Sequence, residues 1–224
     1  MIPRSQEKEL LDIETPPIDE LRHSMHNIET TNRLFLNNWL IKRFVKQLTA
    51  REHEVRILDI GTGIADIPKF LVRKLNSPNR KVTATGIDIN PSVVALAREN
   101  IKNSPGITVL ENADIANQRF TVAIMSLILH HLSPDEAVDM LRETYRKVGA
   151  GIIISDFIRS RFNYFLAKWS IAITSPSRFN LHDGPLSVLR SYSDDEIKAI
   201  LGKAGIKKFK IRNFLIRKIV AIYK

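Results

Sequence analysis

Val55-Arg56-Ile57-Leu58-Asp59-Ile60-Gly61-Thr62-Gly63-Ile64-Ala65-Asp66 reads as a buried strand that runs into a two-glycine turn and then a helix. The apolar run up to Ile60 is short and bounded by turn residues, which suits a strand covered on both faces. Two glycines one residue apart permit a tight turn and let backbone N–H groups approach a ligand with no Cβ in between. In an open parallel sheet, ligands bind beyond the carboxyl ends of the strands where the strand order reverses. The turn at Gly61 is therefore the first place to look for chemistry.

Working outward, strand and helix alternate. Asp66 to Leu75 reads as a helix with Pro68 in its first turn, and Lys81 to Ile89 as a second strand. Pro91 to Ile101 reads as a helix capped by Asn90, Ile107 to Leu110 as a third strand and Phe120 to Leu127 as a fourth. Ser133 to Val148 is a helix whose Ser133-Pro134-Asp135-Glu136 opening has the capping-box spacing, and Gly151 to Ser155 is a fifth strand. Such alternation implies right-handed crossovers and a parallel sheet covered on both faces. The end differs: a helix from Ile197 to Ala204, opened by the capping spacing Ser193 to Glu196, precedes strand-like runs Ile206–Arg212 and Phe214–Tyr223. So short a joint between them permits only antiparallel pairing. Lys208, Lys210 and Arg212 alternate with Phe209 and Ile211, as an edge strand with outward charges would.

Before the glycine turn, residues 1–17 are polar and end in Thr15-Pro16-Pro17, which predicts a stiff break and not a core element. Ile18 to Leu48 has helical periodicity through Leu36, Leu40, Phe44 and Leu48, with a joint between two helices expected near Asn27 to Thr31. The expected organisation is one structural domain: a helical cap over 1–50, and a sheet domain over 51–224 with an insertion at about 157–192.

With 224 residues, 44% hydrophobic and 26% charged, the chain can bury a full core and has the balance of a soluble globular protein. The absence of cysteine excludes disulfides, Cys-ligated metal centres and a thiol nucleophile. The longest stretch free of Asp, Glu, Lys and Arg, Phe120 to Pro134, is shorter than the roughly 20 residues of a membrane helix. The opening residues show no signal peptide, so a cytoplasmic protein is expected. Net charge is +10, unevenly spread: residues 1–30 hold 3 Lys/Arg against 7 Asp/Glu, whereas 157–224 hold 14 against 4. The basic C-terminal third is either a solvated face or a docking face for nucleic acid, an acidic partner or a membrane surface.

The turns restrict the ligand. A nicotinamide-dinucleotide fingerprint would need glycine at position 66, where Asp66 would repel a pyrophosphate, and the Lys-Ser/Thr ending of a triphosphate loop is missing. Asp88, at the end of the second strand, can accept both hydroxyls of a ribose. Asn112-Ala113-Asp114-Ile115 after the third could grip an adenine amino group, with the ring between Ile115 and Ile89. Together these turns describe a site for a nucleoside with a cationic tail.

At this point the chain resembles the class I S-adenosylmethionine-dependent methyltransferases over about residues 52–224. Leu58-Asp59-Ile60-Gly61-Thr62-Gly63 resembles their first motif, Asp88 their ribose-binding acid and Asp114 their adenine-binding acid. Ala65 departs from the third glycine of many members. The resemblance implies a Rossmann-like α/β fold, doubly wound, with a seven-stranded sheet that is mostly parallel and ends in an antiparallel hairpin. It implies S-adenosylmethionine as cofactor, with contacts from Asp59, Gly61, Thr62, Gly63, Asp66, Asp88, Ile89, Ala113, Asp114, Ile115 and Ser126, and Arg33 meeting the cofactor carboxylate. No metal site is expected. Arg22 to Arg33, Leu127 to Leu132, and His182 to Val188 with Arg190 and Tyr192 further resemble bacterial small-molecule methyltransferases associated with type III polyketide synthases. Those enzymes methylate alkylated phenols or pyrones on oxygen; ubiquinone and menaquinone methyltransferases are more distant relatives.

Methyl transfer from a sulfonium is an in-line displacement, so alignment in a water-poor pocket does most of the work. A phenolic or enolic acceptor must still lose a proton, which a neutral histidine could take. His131 and the pair His182 and Asp183 are the candidates, with His130 set against the acceptor. Packing at a helix start for His130 and His131, and a turn-forming Asp-Gly-Pro for the other pair, are the competing readings. Phe162, Tyr164, Trp169, Arg178 and Tyr192 are expected around the acceptor, from an insertion acting as a lid. A nucleic-acid methyltransferase is the alternative suggested by charge, but there is no Pro-Pro-aromatic motif and no appended RNA-binding module. A non-catalytic cofactor-binding subunit is the third reading.

Overall fold

The computed structural model describes residues 2–14, 16–111, 115, 118–174 and 177–224, with only the backbone of 172–174. Its centre is a seven-stranded sheet in the order β3-β2-β1-β4-β5-β7-β6. The strands are β1 (Glu54–Ile60), β2 (Lys81–Asp88), β3 (Ile107–Glu111), β4 (Phe120–Ser126), β5 (Val148–Phe157), β6 (Phe209–Phe214) and β7 (Arg217–Tyr223). β1 pairs in parallel with both β2 and β4, so the order reverses beside it. β7 lies antiparallel between β5 and β6, which leaves β6 on the edge as its alternating charges predict.

The two faces of the sheet follow from strand periodicity. Leu58, Ile60, Ala123, Met125, Ile152 and Ile154 face one core, covered by α6 (Pro134–Lys147) and α9 (Asp194–Lys203) through Val138, Leu141, Ile197 and Leu201. Ile57, Val122, Ile124, Ile153 and Ile219 face the other, covered by α3 (Asn37–Leu48) and α4 (Asp66–Leu75) through Ile41, Phe44, Val45 and Leu71. Both expected capping boxes form, Ser133 with Glu136 and Ser193 with Glu196, and Asn90 caps α5 (Pro91–Ile101).

Three local expectations are corrected. The joint between α2 (Ile18–Leu34) and α3 falls at Phe35 and Leu36, where Leu36 has φ 56°, later than Asn27 to Thr31. α2 runs on because Asn32, buried in its last turns, accepts hydrogen bonds from Asn37 and Arg217. β5 starts at Val148 and not Gly151, with no loop after α6. Residues 2–14 are more than a break: they form a strap ending in α1 (Leu10–Ile13), which packs on α8 (Arg178–Arg190). Among the described residues no helix is long and apolar enough to cross a membrane.

Candidate active site

At the carboxyl end of β1 the chain takes three left-handed steps in five residues, Gly61 (φ 67°), Gly63 (φ 54°) and Ala65 (φ 59°). Ala65 thus occupies a conformation that glycine adopts without penalty. The turn is fastened to β2: the Gly61 and Thr62 amides donate to the Ile87 carbonyl at 2.9 and 3.0 Å, and the Gly63 amide to Asp88 Oδ2 at 3.1 Å. The Thr62 hydroxyl donates to Asp59 Oδ2 at 2.7 Å and packs on Gly86, where a Cβ would lie 2.5 Å from its oxygen.

Three carboxyl groups surround this turn. Burial, reinforced by Asp66 and Asp88, pushes Asp59 up to about 7. Burial raises Asp66 against the amides of Asn38 and Asn32, and raises Asp88 against the backbone N–H groups of Asn90 and Gly63. Such a cluster gains from a cation or hydroxyl donors brought close to it.

The turn opens into a cavity of about 1200 Å³. That exceeds the 300–1,000 Å³ usual for one small ligand and leaves room for two. Gly61, Thr62, Gly63, Asp66, Asp88, Ile89, Ile115 and Ser126 line it, and a Cβ built on Gly63 would meet nothing within 4 Å. An open backbone cradle beside Asp88, Asp66 and apolar Ile89 and Ile115 fits a nucleoside with a cationic tail. Asp59 stands behind the wall, holding Thr62. Ala113 and Asp114 lie outside the described residues. Arg33 is exposed on α2, whereas Asn27, Ile28, Thr31 and Asn32 of that helix line the cavity.

The two adjacent histidines differ. His130 is buried, its Nδ1 2.7 Å from Asp156 Oδ1 and its Nε2 3.4 Å from Glu9 Oε1. Burial alone would lower its pKa, but Asp156 and Glu9 together raise it to about 10. His130 is therefore an imidazolium at neutral pH and has no lone pair with which to take a proton. Burial also works to raise Glu9 and Asp156, yet the charge and hydrogen bonds of His130 hold both below their usual range. His131 sits beside it, ring centroids 4.3 Å apart, with its side chain a quarter exposed. Its Nδ1 is 3.0 Å from Asp12 Oδ1, and its Nε2 is 3.8 Å from Glu9 Oε2, beyond hydrogen-bond reach.

Asp183 lines the cavity, but its carboxylate accepts from the Leu10 and Leu11 amides at 2.7 and 3.1 Å and so anchors the start of α1. His182 bonds Asp183 and Glu7 and is not part of the wall. Phe162, Tyr164 and Trp169 are likewise away from the wall, because α7 (Arg161–Thr174) turns Ile171 inward. Arg178 pairs with Glu14, and Tyr192 is buried under the Arg4 guanidinium with its hydroxyl on the Leu132 carbonyl.

Glu9 and Asp12 were not legible as site residues. Both lie on the strap, and their sole sequence signal is an acidic charge in a polar leader. The strap is held by Arg4, which donates to the His130 and Leu132 carbonyls, and by Arg190, which donates to the Glu7 and His131 carbonyls.

Residues 57–151 match the family model described as a methyltransferase domain. That segment, somewhat under half of the chain, is similar to a methyltransferase domain. The fold is shared with solved methyltransferases at low identity. A SAM-dependent methyltransferase of Aquifex aeolicus superposes with a TM-score of 0.62 and 18% identity, covering 93% of this chain and 98% of that one. The plantazolicin methyltransferase BpumL, in complex with SAH, gives 0.65 and 14% identity with 89% of each chain covered. An O-methyltransferase candidate of Nostoc punctiforme gives 0.61 and 17% identity; 87% of this chain covers 58% of that one. Among curated proteins, a non-reducing polyketide synthase (pigA) of Monascus ruber is 35% identical over 65 residues, 29% of this chain and 2% of its own length. The chain thus spans a small part of that synthase and somewhat over half of the Nostoc protein.

Proposed function

We propose that the protein transfers a methyl group from S-adenosylmethionine to an oxygen of a small, apolar, ionisable acceptor of phenol, pyrone or quinol type. One observation carries the reading: a single cavity joins the glycine turn and Asp88 to an apolar wall of Leu21, Met25, Ile128, Phe157 and Ile171, with His131 on its lining. When bound, S-adenosylmethionine supplies an electrophilic methyl group on a cationic sulfur. Asp88 would accept the ribose hydroxyls, Ile89 and Ile115 would flank the base, and Asp66 lends negative potential to the cationic end.

The residues of the chain then have a proton to move and water to exclude. His131 donates Nδ1–H to Asp12, which fixes the tautomer and leaves Nε2 free to accept the proton of an acceptor hydroxyl. Burial tends to raise Asp12, but His131 holds it below the usual range, as expected of the ionised member of such a pair. The strap and α8 form part of the cavity wall, whose largely apolar lining would shed water when an acceptor is seated. An apolar acceptor suits the lining, and the loss of a proton to a histidine suits an acceptor that ionises within a few units of neutrality.

The test offers purified protein with labelled S-adenosylmethionine to a panel of lipid phenols, pyrones and quinols, and in parallel to total RNA. Label should enter the organic extract. His131→Ala should lower transfer at least about tenfold with cofactor affinity unchanged, since positioned proton transfer typically contributes 10²–10⁴-fold. Label in RNA, or full turnover by His131→Ala, overturns the reading.

A further inference from the structure

Eleven large apolar side chains are exposed among the described residues, and their distribution is not random. Ile13, Ile18 and Leu34 lie on α1 and α2, Leu36 and Trp39 at the joint into α3, and Ile89 just after β2. Phe162, Phe165 and Trp169 lie on α7, Leu181 on α8, and Leu215 in the β6–β7 turn, beside the Phe157–Arg217 pairing. All eleven therefore belong to the segments gathered at the carboxyl edge of the sheet, around the cavity. Single exposed apolar residues need no explanation, but a set confined to one end of the molecule does.

The densest part is α7. Phe162, Phe165 and Trp169 are 65, 54 and 67% exposed and, spaced by three and four, share one face of the helix. Arg161 and Lys168, both exposed, border that face, and residues 157–182 contain no Asp or Glu. The opposite side of α7 sends Ile171 into the cavity wall. Exposed carboxylates at this end include Glu7 and Glu14 of the strap, Asp12 on α1, and Asp19 and Glu20 in the first turn of α2; Glu7 is engaged by His182, Asp12 by His131 and Glu14 by Arg178. An aromatic face bordered by cations and free of acids is complementary to an anionic, apolar interface, where aromatic rings sit at headgroup depth and basic side chains meet lipid phosphates.

We propose that the outer face of α7, through Phe162, Phe165 and Trp169 with Arg161 and Lys168, docks on the surface of a bilayer containing anionic lipid. Because the same helix walls the cavity, docking sets the cavity mouth against the layer in which an apolar acceptor dissolves. That consequence rests on the function proposed above; the docking itself does not.

The full chain, carrying Trp39→Phe so that Trp169 is the sole indole, is mixed with vesicles of phosphatidylcholine alone or with about one third phosphatidylglycerol. Co-sedimentation with the anionic vesicles, a blue shift of Trp169 emission and its quenching by brominated lipid are expected, with little binding to neutral vesicles. Phe162→Ser with Phe165→Ser should reduce partitioning at least about tenfold while the melting temperature falls by no more than a few degrees, since both side chains are more than half exposed. Methyl transfer to a water-soluble acceptor should be unaffected by that pair, so failure of docking and failure of the proposed reaction read out separately. The proposal is overturned if the protein stays in the supernatant, if the serine variant binds as well as the parent, or if Trp169 stays in water on bound protein. It is also overturned if light scattering gives a dimer that the serine pair dissociates, which would make this face a contact between copies of the chain.

Discussion

Glu9→Gln is the perturbation that tests the strap. The Glu9 carboxylate is buried, 3.4 Å from His130 Nε2, 3.8 Å from His131 Nε2 and 4.0 Å from Arg190 Nε, and it accepts the Ser187 hydroxyl at 2.9 Å. Removing one partner of a buried ion pair typically costs about 3–5 kcal/mol, and the lower end applies here because Asp156 still faces His130. The sheet cores contain no part of residues 2–14, so the strap can relieve this cost by detaching. What otherwise retains it is hydrogen bonds worth about 1 kcal/mol each, from Arg4, from Arg190 to the Glu7 carbonyl and from the Leu10 and Leu11 amides to Asp183, with the Asp12–His131 pair and the packing of Leu11 on the cluster around Leu21, set against the entropy of ordering the segment. Loss of 3 kcal/mol corresponds to about a hundredfold rise in the open fraction, at about 1.4 kcal/mol per decade. Amide hydrogen exchange read by mass spectrometry should show residues 2–14 exchanging about a hundredfold faster, with β4 and β5 unchanged. Equal strap protection in parent and variant would refute the reasoning, as would loss of strap and sheet protection together.

The same contacts set a pH window. His130 is raised above its usual 6.5, so its contribution is full below that value and is lost as pH climbs through about 10. Glu9 and Asp156 are held below their usual 4.5 and 3.8, so their contributions are full above those values and fade as pH falls. Strap protection should therefore be greatest between about pH 4.5 and 6.5 and decline on both sides when exchange is corrected for its intrinsic rate. Gly86→Ala should weaken uptake of S-adenosylmethionine by calorimetry at least about tenfold, because the new Cβ would displace Thr62 and with it the glycine turn. Asp88→Ala should abolish measurable uptake, since it removes both the proposed acceptor for ribose hydroxyls and the partner of the Gly63 amide. His182→Ala, away from the cavity wall, should change turnover by less than about tenfold, below the range of a lost general base.

The legible part of this protein was local. Apolar runs of strand length, glycines at Gly61 and Gly63, and the caps at Asn90, Ser133 and Ser193 each act within a few residues, so their periods and spacings appear in the sequence. The alternation of β1 to β5 with helices then restricts the connections, and the joint at Leu215 and Ile216 leaves β6 and β7 only antiparallel pairing. Asp88 and the glycine turn were readable as one site because consecutive parallel strands end side by side.

The rest depended on segments far apart in the chain. Asp156 meets His130 across 26 residues, Asp183 meets Leu10 across 173 and Arg190 meets Glu7 across 183. No repeat or spacing encodes such pairs, and each carboxylate alone looks like a solvated charge. Two adjacent histidines therefore read alike in sequence, yet packing makes His130 a buried cation between two carboxylates and leaves His131 facing the cavity. The direction of α7 was likewise decided in three dimensions: its aromatics satisfy a pocket or a surface equally well by pattern, and only the inward turn of Ile171 sends them outward. A helix has one rotation about its axis, and the neighbours against which it packs, not its own residues, select it.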